Sequence, residues 1–162
     1  MVNFYSGLFR GPIDHNASSV INAVANDGIF VGESVELSTS TLPPSELLPR
    51  VESHGDMGFY GVAVGGDADG VYADSDTPTA ANEAASAGEG VVVVTQGRCL
   101  ALVDGDGGEI LIGSPLTIAM EKTLELADAS TDLVVARALQ PLAAASGINL
   151  IAIDIQREGP LP

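Results

Sequence analysis

Closely spaced acidic residues are the first candidates for chemistry in this 162-residue chain. Four aspartates in one loop are weak metal candidates: Asp67, Asp69, Asp74 and Asp76. The start of this loop resembles an EF-hand, which needs a third oxygen ligand two residues after the second and a Glu at position twelve. Val71 and Pro78 occupy those two positions. An irregular cation site and a solvated acidic loop both fit, and the second is the simpler interpretation.

Residue types used for nucleophilic catalysis occur, but not in a productive pattern. Residues 53–56 read Ser-His-Gly-Asp, and neighbours in sequence seldom converge as nucleophile, base and orienting group. The chain has no G-x-S-x-G motif and no phosphate-binding glycine loop. Cys99 lies in a predicted strand without a histidine beside it, which favours a buried, inert thiol. We therefore expect neither an enzyme nor a bound cofactor.

Charge is the strongest compositional signal. Twenty-two acidic residues face six basic ones, a net charge of −16, and Lys122 is the only lysine. Such a surface repels itself at low ionic strength, whereas in molar salt the Debye length falls to about 3 Å. The composition favours a salt-loaded environment and excludes a basic stripe for nucleic acid. No apolar run reaches the roughly 20 residues of a membrane helix, so we expect a soluble protein.

The scarce arginines are candidates for ion pairs. Arg50, Arg98 and Arg137 lie on or beside predicted strands. Because arginine is well suited to interface pairs, we expect them to meet acidic groups across subunits or inside a barrel. Solvent-exposed arginines remain the alternative.

The sequence contains an internal repeat. Residues 28–37 read GIFVGESVEL and residues 109–118 read EILIGSPLTI. Four further blocks match in the same order: 19–27 with 99–107, 48–53 with 124–130, 59–66 with 134–141, and 84–96 with 143–155. One unit has therefore been used twice.

The repeat also predicts secondary structure. Residues 130–146 alone have good helix formers, but their partner, residues 59–66, contains three glycines and cannot form a stable helix. Both are therefore predicted strands. We expect an all-β protein, a small barrel or sandwich built from two tandem related units with an extended N-terminal arm. The predicted parts are the arm (1–17), a first unit (18–96) with an exposed acidic insertion (65–83), and a second unit (97–158), together one compact domain.

The arm is the predicted contact region. It contains three of the seven aromatic residues, Phe4, Tyr5 and Phe9, followed by Arg10. An apolar arm outside the repeat either caps the barrel or docks on a partner, and both interpretations stay open.

Residues 91–155 resemble the capsid decoration, or cement, proteins of head-tailed phages. The resemblance lies in a glycine followed by an apolar alternation (residues 113–117), a strand of type V-V-G-x-A (134–138, with Ala136 in place of the glycine) and a last apolar strand (150–153). The first copy fits at residues 32–35 and 60–64. The tandem arrangement and the extreme acidity depart from the family pattern.

The resemblance implies a protein that binds the major capsid protein on the outside of an icosahedral head. It implies homotrimers that bridge capsomers, and the acidity suggests a virus of a halophilic archaeon that assembles in a high-salt cytoplasm. Two other classes fit the same residues: another virion component such as a turret or tail protein, and a cellular barrel that binds a cation or small molecule.

Overall fold

The computed structural model describes residues 19–39, 48–53, 58–68, 70–72, 80–119, 122–128 and 132–158. These residues form eleven β-strands and one 3-10 helix (Ala80–Asn82). The strands are β1 (Ser19–Ala25), β2 (Ile29–Phe30), β3 (Ser34–Leu37), β4 (Arg50–Ser53), β5 (Gly61–Gly66), β6 (Glu83–Ala85), β7 (Gly90–Asp104), β8 (Pro115–Ile118), β9 (Leu124–Leu126), β10 (Val134–Ala138) and β11 (Ile148–Glu158). Within the described ranges, no helix has the length and apolarity needed to span a bilayer.

Five strands close into a first barrel. Strand β1 pairs in parallel with β4, β4 with β3, β3 with β5, β5 with the N-terminal half of β7, and β7 returns to β1. All pairings except the first are antiparallel. A closed ring of this kind leaves no free sheet edge.

A second barrel repeats this order strand by strand. The C-terminal half of β7 pairs in parallel with β9, β9 with β8, β8 with β10, β10 with β11, and β11 with β7. The predicted all-β fold of two related units is therefore confirmed. Within residues 130–146, the stretch with good helix formers, the structure places strand β10.

The two barrels share strand β7. Its N-terminal half pairs with β1 as far as Gln96, and its C-terminal half pairs with β11 from Gly97 onward. Gly97 has a φ of 91°, a conformation that favours glycine, at the point where the strand leaves one barrel for the other. The predicted division at residues 96 and 97 therefore falls inside one continuous strand.

The repeat extends to the register of the strands. Val35 lies opposite Gly61 in the first barrel, and Leu116 lies opposite Ala136 in the second. Likewise, the pair Leu37–Val51 corresponds to the pair Ile118–Leu124. These paired residues therefore have counterparts in the other barrel. The structure aligns Val24 with Leu102 and Val94 with Asp154, whereas the matching sequence blocks align them with Asp104 and Ile153, so the repeat alignment is shifted by one or two residues there.

Strand β7 supplies both cores because alternate side chains point to opposite faces. Val91 and Val93 pack in the first barrel with Ala23, Val35 and other small residues. Val92 and Val94 belong to a second cluster that contains the core of the second barrel. The outer face of the first barrel is therefore buried against its neighbour.

The insertion predicted as an exposed loop is partly packed. Asn82 is buried, its side-chain amide donates to the carbonyl of Val71, and its carbonyl accepts from the amide of Val31. Strand β6 pairs with β2. The described C-terminal end of this segment therefore covers part of the first barrel.

Candidate interaction surfaces

Outside the described residues lie the arm residues Phe4, Tyr5, Phe9 and Arg10, and the acidic-loop residues Asp69, Asp74 and Asp76. Their proposed roles stay predictions.

Asp67 is the described member of the acidic loop. Its exposed carboxylate accepts a hydrogen bond of 2.8 Å from the amide of Gly90, which ties the end of β5 to the start of β7. Among the residues with described positions, no group of three acidic, histidine or cysteine side chains could hold a metal. The contact that the structure shows for Asp67 is this hydrogen bond with the Gly90 amide.

Cys99 is buried in the cluster of the second barrel, as predicted. Burial, with a smaller contribution from the charge of Asp154, raises the pKa of its thiol to about 12. The thiolate, which is the nucleophilic form, is therefore strongly disfavoured at neutral pH.

Each barrel has a β-turn at the same place. Residues 30–33 form the first turn, in which the Glu33 amide donates to the Phe30 carbonyl and Gly32 has a φ of 91°. Positive φ at the third position alone defines a type II turn, for which glycine is preferred. The Gly32 amide donates to the carbonyl of Ala63.

The second turn, residues 111–114, has the same hydrogen bonds. The Ser114 amide donates to the Leu111 carbonyl, Gly113 has a φ of 88°, and its amide donates to the carbonyl of Ala138. The turns differ in the side chain that accepts a hydrogen bond from the first amide of the turn. In the second turn, the Leu111 amide donates to Ser114 Oγ at 2.9 Å. In the first turn, the Phe30 amide donates to Glu33 Oε2 at 2.8 Å.

The surroundings of the two turns are opposite. In the first turn, Val31 is fully buried beneath the residue 80–85 segment. Its neighbour Gly32 lies against the second barrel, where its carbonyl accepts from the amide of Leu102. In the second turn, the counterpart of Val31 is Ile112, which is 70% exposed, and Leu111 is 56% exposed. The second turn therefore presents two apolar side chains to solvent.

The second turn is exposed because, in the described chain, no segment covers it as residues 80–85 cover the first turn. Residues 67–89 connect β5 to β7, whereas only residues 139–147 connect β10 to β11, so the second barrel has no segment like 80–85. The described chain also provides no third barrel to cover Gly113, around which an added Cβ atom would meet nothing within 4 Å.

A buried carboxyl group joins the barrels. Glu33 Oε1 lies 3.7 Å from Nζ of Lys122, which belongs to the β8–β9 connection, and the Ser34 amide donates to the Lys122 carbonyl. Burial raises the pKa of Glu33, although the Phe30 amide, the Ser53 hydroxyl and the Lys122 charge lower it. Glu33 Oε1 has no hydrogen-bond partner.

A row of outward side chains also differs between the barrels. On the first barrel, Val94 lies opposite both Val62 and Val20, and these valines pack in the cluster of the second barrel. Their counterparts, at the same register, are Asp154, Arg137 and Arg98. Opposite charges directly across antiparallel strands stabilise the sheet, so Arg98 and Arg137 have an acidic neighbour within the chain.

Arg137 also reaches the second turn. Its guanidinium donates a 3.0 Å hydrogen bond to the Gly113 carbonyl, so positive charge lies beside the exposed apolar residues. Arg50 begins β4 on the first barrel. The predicted ion pairs of these arginines across subunits stay predictions.

A pocket of about 190 Å³ lies on the first barrel where β1 meets β7. Its lining includes Asn22 and Gly90, with the exposed residues Leu48 and Asp67. Most of the lining surface is apolar, so the pocket suits a hydrophobic side chain.

Sequence reasoning found the arginines but missed Ile112, Glu33 and Asp154. The repeat alignment did contain a signal for Ile112, since it placed Ile112 opposite Val31. The alignment did not show that Val31 is buried, because this burial depends on how the other barrel and residues 80–85 pack around it.

Comparisons with known proteins find a similarity of structure but none of sequence family. No protein-family model matches the sequence, and no curated protein matches it significantly. The chain is similar to the solved structure of the head fiber gp8.5 N base in bacteriophage phi29, with 16% sequence identity and a TM-score of 0.47. The match covers 88% of this chain and 97% of that one.

Proposed function

We propose that this chain is a structural virion protein that binds the outer surface of an icosahedral capsid and bridges neighbouring capsomers. The observation that supports it is the doubled five-stranded barrel with repeated register. The segments that resemble decoration proteins, residues 113–117, 134–138 and 150–153, all lie on the second turn and on strands β8, β10 and β11.

The proposed mode of action is multivalent binding. Each contact with a capsid subunit is modest, but an oligomer that touches several subunits at once multiplies its effective affinity. In molar salt, long-range attraction is screened, so apolar burial must supply the binding free energy. Burying one aromatic ring contributes about 1.5–3 kcal/mol, and the arm provides Phe4, Tyr5 and Phe9 for this purpose.

Deleting residues 1–10 tests the proposal. We expect the truncated chain to remain folded and associated with itself, but to lose attachment to purified heads that lack the protein. Co-sedimentation with heads measures attachment, and circular dichroism measures folding. Leu133→Ala, a change at a 53% exposed apolar residue of the second barrel, is the control and should decorate normally. Normal decoration by the truncated chain would overturn the role of the arm.

The number of copies per particle tests the class of virion protein. Quantitative mass spectrometry should find on the order of hundreds of copies if the chain bridges capsomers across the head. Tens of copies would instead indicate a turret, and a few copies a tail component.

A further inference from the structure

We propose that the N-terminal arm, residues 1–17, packs across the second turn of its own chain and covers Leu111 and Ile112. It takes the place that residues 80–85, the covering segment, have on the first turn. This inference goes beyond the proposed function and does not rest on it. An extended segment presents alternate side chains to opposite sides, so an arm that lies on the turn still offers apolar side chains to a capsid subunit.

The first turn shows how a covering segment works. Phe30 lies opposite Glu83 in the pairing of β2 with β6, and the amide of Val31 donates to the carbonyl of Asn82. Val31 is fully buried in the cluster of the first barrel, which also contains Ala84 of the covering segment. The covering segment therefore accepts a hydrogen bond from the turn and removes an apolar side chain from water.

The second barrel has only the start of the same arrangement. Ile110 and Leu142 form an isolated bridge with two backbone hydrogen bonds, at the position where Ile29 lies opposite Ala85 in the first barrel. Two residues later, the amide of Ile112 has no hydrogen-bond partner among the residues that the structure describes. The second turn can therefore receive one backbone hydrogen bond together with cover for its two exposed side chains.

The composition of the arm suits this position. The insertion and the arm are the two segments outside the repeat, and the insertion already covers the first turn with its C-terminal end. The arm contains three aromatic residues, and the side-chain charges of Arg10 and Asp14 cancel, whereas the whole chain has a net charge of −16. The arm can therefore approach an acidic barrel without repulsion.

The arm also begins within reach of the second turn. It precedes Ser19, which lies opposite Gln96 at the end of the first barrel. Three residues further along β7, Cys99 lies two strands away from Ala138, whose carbonyl accepts from the amide of Gly113. This path is at most about 30 Å, at about 3.4 Å per residue and about 5 Å per strand. Ten extended residues span about 33 Å, so the aromatic part of the arm reaches the turn.

The tether favours the turn of the same chain over that of another copy. A covalently linked segment binds at an effective concentration on the order of millimolar. A second chain, in contrast, must bring another net charge of −16 to the contact.

Limited proteolysis of the full chain in molar KCl tests the contact from the side of the arm. Chymotrypsin cleaves after aromatic residues, so cuts in the arm report its accessibility, and mass spectrometry locates them. We expect the arm of Ile112→Asp to be cleaved at least about tenfold faster than that of the wild type, because a buried carboxylate without a partner is costly. Circular dichroism verifies folding.

Leu133→Asp is the matched control for proteolysis. Leu133 is 53% exposed and precedes β10, whereas the second turn contacts Ala138 at the other end of that strand. The arm of this variant should be cleaved at the wild-type rate.

Thiol labelling tests the contact from the side of the turn, with the milder substitution Ile112→Cys. The native Cys99 is buried and has a pKa of about 12, so it does not compete for the reagent. We expect the new thiol to react at least about tenfold faster when residues 1–10 are deleted. The thiol of Leu133→Cys should react equally fast with and without those residues.

The outcomes separate the contact from its alternatives. Equal labelling of Ile112→Cys with and without residues 1–10, or equal cleavage of the wild type and Ile112→Asp, would overturn the contact. Protection should survive an about hundredfold dilution, since the arm is tethered; protection that disappears on dilution would overturn the same-chain assignment and indicate the arm of a second copy. Neither assay contains heads, so a failure here leaves attachment to the capsid to be decided by co-sedimentation.

Discussion

Glu33 is the residue whose environment departs most from what its type suggests. Its carboxyl is only 1% exposed, and the cation nearest to it, Lys122, is not within hydrogen-bonding distance of Oε1. A buried charge with incomplete hydrogen bonding is costly, which is why burial raises the pKa of Glu33. The carboxyl closes the first turn through the Phe30 amide and links it to the second barrel through Lys122, at a cost that depends on pH.

The pH dependence of stability tests this role. Because the pKa of Glu33 is higher in the folded state than its unfolded value of 4.5, the protonated form is favoured by folding. Its contribution is therefore fully present below pH 4.5 and is lost as the pH rises through the folded pKa. Relative to Glu33→Gln, the wild type should gain unfolding free energy as the pH falls from 7 toward 4.5.

Urea denaturation in molar KCl at several pH values measures this difference. Glu109→Gln makes the same change at an exposed position in the second barrel and reports the general effect of removing one surface charge. A difference between wild type and Glu33→Gln that stays constant, or that moves the other way with pH, would show that Glu33 is not destabilised by burial.

At the scale of elements, the two turns have the same backbone hydrogen bonds and different surroundings. Both need glycine at the third position because φ there is about +90°. Only the first turn is also packed, since Gly32 approaches Leu102 and Leu150 of the second barrel. The same substitution in both turns therefore separates the conformational cost from the packing cost.

Gly113→Ala should lower the unfolding free energy by about 1–2 kcal/mol, because alanine is strained at positive φ. Gly32→Ala should cost the same plus about 1–3 kcal/mol for overpacking against the leucines of the second barrel. Chemical denaturation of both variants measures the two losses. Equal losses would mean that the contact between the first turn and the second barrel contributes nothing.

At the scale of the whole molecule, net charge sets the conditions in which the fold is stable. The chain has a net charge of −16, and a compact state concentrates that charge more than an expanded one. Strand pairings place some of the scarce cations beside acids, as in the row of Arg98, Asp154 and Arg137. The excess negative charge still requires screening.

The urea midpoint should rise with KCl concentration, most steeply between about 0.01 and 0.1 M, where the Debye length falls from about 30 to 10 Å. Denaturation at a fixed pH of 7 measures it, with the slope of the transition used to verify that the unfolded state is unchanged. A midpoint that is flat or falls over this range would contradict repulsion as the dominant long-range term.

The sequence by itself determined the all-β class and the duplication. β-branched runs such as residues 91–94, glycines at both turns and the matching blocks are local signals, and they sufficed because alternation and turn chemistry act over a few residues. They also sufficed to predict the burial of Cys99.

Only the tertiary structure decided which of two equivalent residues is covered. The sequence places Val31 and Ile112 at the same position of the repeat, yet one is fully buried and the other is 70% exposed. Likewise, residues 90–104 form one strand that serves both barrels, and the register brings Asp154 between two arginines. These outcomes depend on contacts between segments far apart in the chain, which local patterns do not specify.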